Sequence, residues 1–235
     1  MKRAQVLDVT TDFQDDAGRR DPDSYSSLLQ SYHRRLWSKP LPGGSTFTLT
    51  ADRFGSVRVL RHRSELGEFV LSSDTLANSN RGRLRGFYEA MGEESNTAWH
   101  RDGGTIGGRL VFPRNRIDRK QTINQRRGTH PRIRDRFDLT LEAIRRHYVC
   151  EESPLTETMR AYADFFELFE SFDRYVDFFL LQDLVDETGA VRFYLPFEGY
   201  ERSPLPTSIE QYKQFRARQL DFVASRNSRM LGAVS

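Results

Sequence analysis

Cysteine is nearly absent. Cys150 is the only one in 235 residues. A single thiol excludes an intrachain disulfide and any cysteine-rich metal site, and it suits a reducing compartment. His147 lies three residues before Cys150, but that spacing alone is no Cys–His nucleophile signature. Histidine is thin as well, five in all, which argues against a histidine-rich transition-metal site. Long apolar runs are missing. The longest, Phe178–Leu181, falls far short of the ~20 residues a membrane span needs. The chain begins Met-Lys-Arg and continues polar and acidic, without the apolar stretch of a signal peptide. A cytoplasmic protein with no membrane partner is the expectation. Neither a P-loop nor a Rossmann glycine pattern is present, and no helix-turn-helix, zinc-finger or RRM-type signature appears.

Lysine is scarce too: four of the 36 basic residues. Such a bias arises from genome composition, or from recognition of planar anions that guanidinium groups grip bidentately. Global bias does not choose where charge sits, however. From Arg101 to His147 there are twelve arginines, one lysine and five carboxylates; from Tyr148 to Glu187 there are two arginines and eleven carboxylates. The basic block reads as an anion-facing surface, the acidic and strongly aromatic block as a core or partner face. Net charge is only +3 and mean hydropathy −0.67. Seventeen Phe, nine Tyr and two Trp supply the apolar area a folded core needs.

Residues 1–23 carry six aspartates and little apolar periodicity, and are expected to be weakly ordered; 24–235 is expected to form one globular domain. A helix is predicted over Ser24–Leu36, stopped by the Pro- and Gly-rich stretch 38–44. Strands are predicted at Thr46–Thr50, Val57–His62 and Glu68–Ser72, separated by turns at Asp52, Gly55 and Gly67, as an antiparallel meander. A helix is expected within Arg83–Met91, and a strand at Thr105–Phe112. A long basic loop with a helical turn should follow at 113–132. Phe137, Leu141, Ile144 and Tyr148 form a helical stripe over Arg134–Tyr148. Ser153 and Pro154 open a second helix, with Leu155, Met159, Tyr162, Phe166 and Phe169 on one face. Tyr175–Val185 reads as helix, Val191–Leu195 as strand and Thr207–Val223 as helix. The fold class is α+β, an antiparallel or mixed sheet in the N-terminal half packed on a helical C-terminal half.

Four places could carry chemistry. Arg109, Arg114, Asn124, Arg126, Arg127 and Arg134 lie through the basic segment, where a loop can converge guanidiniums on phosphate; the alternative is a solvated, charge-rich loop. Asp135, Asp138 and Glu142, three and four apart, would share a helix face able to hold Mg²⁺ or catalyse; the stronger explanation is structural, with Asp135 and Asp138 favouring the helix N-terminus and Arg145 and Arg146 its end through the dipole, and Glu142 pairing with Arg146 at i,i+4. His100 and Asp102 precede a Gly-Gly turn and, if extended, point the same way as an acid–base pair. Lys39 follows Trp37, with His33 four residues before the indole, and could offer a cation to phosphate or simply pack. The aspartates of the acidic block, Asp164, Asp177 and Asp183, need partners; the basic block is the simplest source, with Arg226, Asn227 and Arg229 near the C-terminus as further candidates.

Three segments carry a resemblance: Tyr32–Pro42, Thr122–Gly128 and Tyr175–Leu184 resemble those of an uncharacterised bacterial domain family, from about Ser24 to Arg229. The resemblance implies one complete domain and transfers no activity. The functional expectation is therefore a nucleotide- or nucleic-acid-phosphate-handling enzyme or effector. Anion contacts would fall to Lys39, Arg109, Arg114, Asn124, Arg126, Arg127 and Arg134, and proton transfer to His100, Asp102, Asp138 or Glu142, with no metal ligands assigned and Mg²⁺ the one cofactor considered. The alternatives are a non-catalytic RNA/DNA-binding module and a homo-oligomeric interaction protein.

Overall fold

The computed structural model describes residues 7–54 and 57–233; the turn expected at Gly55 and residues 1–6 lie outside them. Two short helices, α1 (Phe13–Asp16) and α2 (Pro22–Tyr25), lead into α3 (Ser27–Trp37). Ser26 caps α3 by accepting the Leu29 amide at 2.9 Å. Phe13 is fully buried and meets Tyr32 edge-on at 5.8 Å. From Leu7 onward the segment expected to be weakly ordered thus packs into the core, because a few apolar residues among the aspartates suffice to anchor it.

The sheet is an antiparallel meander of β1 (Thr50–Phe54), β2 (Val57–Ser64), β3 (Gly67–Thr75) and β4 (Arg109–Pro113), in that spatial order. Gly67, at φ +143°, closes the β2–β3 hairpin opposite Ser64. The strand expected at 46–50 starts only at Thr50. Thr46 makes a lone bridge to Pro40, and Phe47 is drawn inward with its amide on the Lys39 carbonyl. Between β3 and β4 the chain makes an excursion through α4 (Arg85–Ala90) and α5 (Glu93–Gly103). Arg109 then comes to lie opposite Thr75, and Leu110 opposite Asp74.

The rest is helical: α6 (Ile123–Thr129), α7 (Phe137–Tyr148), α8 (Thr156–Ala161), α9 (Ala163–Glu167), α10 (Phe172–Phe179) and α11 (Ile209–Ala233). Helix α7 begins three residues later than its pattern suggested, since Arg134 and Asp135 sit at φ 51° and 63°, outside helical geometry. Leu180, at φ 55°, ends α10. No strand forms at 191–195; Val191 makes a single bridge to Val185. Phe47 and Phe69 from the sheet side meet Phe165, Phe169 and Phe178 at ring separations of 5.4–6.4 Å, joining sheet and helices in one core. No described helix is long and apolar enough to cross a membrane.

Candidate anion cavity at the start of the fourth strand

The six residues Gly103–Gly108 turn α5 into β4 and set up the site. Gly104 continues the end of α5, Thr105 is extended, and Ile106–Gly108 form a single 3₁₀ turn. The glycines are there because other chain passes too close for a side chain. A Cβ on Gly104 would lie 2.5 Å from an Asp12 carboxylate oxygen, and one on Gly107 would lie 2.5 Å from the Val223 carbonyl. Helix α11 locks the turn in place. Asn227 accepts the Gly107 amide at 2.7 Å and donates to Thr105 Oγ1 at 2.9 Å. The buried Arg226 donates to the carbonyls of Gly107, Arg109 and Phe179 at 2.7–3.0 Å. The glycines thus serve helix packing, and the cavity they border opens beside them.

That cavity is about 440 Å³ and lies between the α1 region, α5 and the first residue of β4, with Asp12, Thr75, Trp99, His100 and Arg109 in its walls. Arg109 is 7% exposed. Its Nε is sealed from solvent with no hydrogen-bond partner, and its guanidinium makes no salt bridge among the described residues. Burial lowers its pKa, opposed by the fields of Asp23, Asp74, Asp12 and Asp21. Asp23 exerts the strongest of these fields. Its carboxylate accepts the Ser73 amide at 2.7 Å and hydroxyl at 2.5 Å, yet burial dominates and pushes its pKa up to about 6. The Trp99 indole N–H is also buried without an acceptor.

His100 lies in the same wall, its Nε2 3.0 Å from the Tyr88 hydroxyl. Burial, then Arg216 and Arg81, lower its pKa against the pull of Asp12, so the imidazole is neutral near pH 7. Asp102 does not join it. The stretch is helix rather than extended chain, so residues two apart face opposite sides, and Asp102 pairs with the exposed Arg101 at 2.8 Å.

The remaining expected residues are dispersed. Arg127 is fully buried. Its Nη1 lies 2.5 Å from Asp74 and 2.6 Å from Asp135, and its Nε donates to Thr140 Oγ1 at 3.2 Å. Burial works against its charge, but Asp135 and Asp74 more than offset this and raise its pKa. Asp138 is buried in a bidentate pair with Arg136 and accepts the Tyr194 amide. Glu142 is taken by Arg145 and Arg146 at 2.8 and 2.7 Å. The three carboxylates expected on one face are each held by different arginines. Among the described residues no cluster of three or more His, Cys, Asp or Glu could hold a metal ion. Asn124 donates to Ser72 at 3.4 Å. Arg126 lines a separate groove with Lys120, and Arg114 is exposed. Arg126, Arg132 and Arg134 surround His130, whose pKa falls through burial and their charge. Lys39 lies over Phe178 at 4.6 Å and Trp37 at 5.3 Å, its pKa lowered to about 8 mainly by burial. The Trp37 indole donates to His33 Nδ1 at 3.1 Å, which fits the packing role. Asp183 finds Arg229 of α11 at 2.6 Å instead of the basic block.

Asp12, Asp23 and Thr75 were not legible as site residues. The aspartates of the first 23 residues look like solvated polar chain, and it is the bonds from Ser73 of β3 to Asp23 that hold its charge within reach of Arg109.

Residues 7–230 match DUF6994, a family of unknown function, and the chain belongs to it. No curated protein and no solved structure matches it.

Proposed function

We propose that the protein binds a small phosphate-bearing ligand, of nucleotide size, in the Arg109 cavity. The observation that carries this reading is the Arg109 guanidinium at the wall of a cavity of ligand size, its Nε sealed from solvent without a hydrogen-bond partner and with no salt bridge among the described residues. Buried polar groups are nearly always hydrogen-bonded, and an unmet one signals a missing partner. A phosphate or carboxylate offers the bidentate acceptor that guanidinium geometry matches. A volume of about 440 Å³ lies within the range of small-ligand sites. Trp99 supplies an aromatic wall and an indole donor. His100, neutral and hydrogen-bonded to Tyr88, is the side chain placed to take a proton should the ligand react, which keeps hydrolysis or group transfer as the enzymatic form of the same reading.

Calorimetry and thermal denaturation with inorganic phosphate, AMP and ATP test it, comparing the native protein with Arg109→Met. The expected result is binding by the native protein and at least tenfold weaker binding by the variant, with Tm unchanged or higher because an unpaired buried charge has gone. If Arg109 serves only to compensate Asp23 and Asp74, none of the three ligands binds and the variant loses stability instead.

A further inference from the structure

The cavity accounts for one cation of the basic block, and the fate of the others divides sharply. Arg101, Arg127, Arg132, Arg136, Arg145 and Arg146 are each salt-bridged. Arg114, Arg116, Arg119, Lys120, Arg126 and Arg134 have no acidic partner within salt-bridge distance among the described residues. Four of these six fall in seven consecutive residues, 114–120, and all four are exposed. The segment contains a single carboxylate, Asp118. Elsewhere the arginines divide: Arg61, Arg63, Arg85, Arg160, Arg202 and Arg229 are salt-bridged, while Arg34, Arg81, Arg83, Arg174, Arg192 and Arg218 form no salt bridge among the described residues, but these are scattered and do not form a run as dense as 114–120. An unpaired cluster held on an ordered scaffold concentrates positive potential over one surface.

The scaffold is visible. Strand β4 ends at Pro113, the Arg114 amide bonds the Val70 carbonyl at 2.7 Å, and the Tyr162 hydroxyl grips the Asn115 carbonyl at 2.9 Å. Asp118 and Arg119 both take positive φ, 51° and 60°. At the far end Lys120 and Arg126 share a groove of about 460 Å³ with Gln121, Ser153 and Thr156, in which Glu152 and Glu157 also stand. Glu152 is already engaged by Arg160.

We infer that the 114–126 surface docks the phosphate backbone of a nucleic acid, a role separate from the cavity and resting on different residues. A nucleic acid fits better than an anionic membrane because the loop carries no exposed large apolar side chain to insert; those that are exposed, Tyr25, Leu66, Val149 and Leu231, lie elsewhere in the sequence. No exposed aromatic stands on the loop either, so base stacking contributes little and contact is to phosphate, with little preference for sequence.

Fluorescence anisotropy with a short labelled DNA duplex and a single-stranded RNA tests this on the full chain. About four phosphate contacts lower affinity roughly a hundredfold between about 50 and 200 mM salt. The loop variant R116E/R119E/K120E is expected to weaken binding at least tenfold. A control of equal charge change, R174E/R192E/K213E, should weaken it no more than about threefold, and Arg109→Met should leave it unchanged. Absence of binding at 50 mM salt, or equal loss in loop and control variants, overturns the inference. Vesicles containing phosphatidylserine that bind as tightly, with the same loop dependence, also overturn it, since the surface would then recognise anionic lipid.

Discussion

A guanidinium stripped of its carboxylate inside a protein has no solvent to take up its charge. Arg136 and Asp138 are 2% and 0% exposed as side chains, and Arg136 spends its other nitrogen on the Pro204 carbonyl at 2.7 Å. Replacing Asp138 by Ala leaves that charge uncompensated and orphans the Tyr194 amide, at an expected cost of about 3–5 kcal/mol. Urea unfolding checks the loss, and phosphate binding measured below the transition should be unaltered. A catalytic Asp138 would give the reverse, a folded protein of normal stability without activity. The spacing of Asp135, Asp138 and Glu142 was legible in the sequence, but their occupants were not. Two of the three carboxylates are claimed at least in part by long-range groups, Asn78 for Asp135 and Tyr194 for Asp138, which no local pattern announces.

At the scale of elements, glycine marks where helix α11 meets the turn before β4. Gly107→Ala drives a methyl against the Val223 carbonyl and the Asn227 side chain, 2.5 and 2.6 Å away. Backbone on one side and a doubly bonded amide on the other cannot easily give, so an overpacking cost of about 1–3 kcal/mol is expected. Gly86, in α4 with open space around it, provides the opposite sign: Gly86→Ala should stabilise by up to about 1 kcal/mol through helix propensity. Thermal denaturation of the two variants reads both shifts. The elements themselves were largely legible. The apolar stripes of α3, α7 and α11 report the core they face, and Val57 and Glu68 open recognisable hairpin strands. Thr46–Thr50 and Val191–Leu195 misled for one physical reason. Both are short and β-rich, but apart from Thr50, which opens β1, each pairs through only an isolated bridge, while Phe47 and Tyr194 are pulled into the core.

At the scale of the molecule, the first helices are part of the structure that makes the site, although composition alone paints them as a polar tail. The Asp8 amide donates to the Tyr32 hydroxyl at 2.8 Å, Phe13 is buried against that ring, and the Phe13 amide reaches the Gly104 carbonyl at 3.3 Å. Asp12, Gln14, Asp15 and Arg19 form one wall of the Arg109 cavity. Removing residues 1–18 therefore strips an aromatic anchor and opens the cavity together. Loss of Phe13 alone is worth about 3–5 kcal/mol, so Phe13→Ala isolates the anchor where the deletion proves too unstable to study. The deletion should lower stability by at least that amount and weaken phosphate binding at least tenfold. Phe13→Ala should lower stability with a smaller effect on affinity, because the polar wall remains. Chemical denaturation and calorimetry on both proteins separate the two contributions. A deletion that leaves stability and affinity intact would make the segment a loosely attached tail, and would return the burden of closing the cavity to α5 and β4.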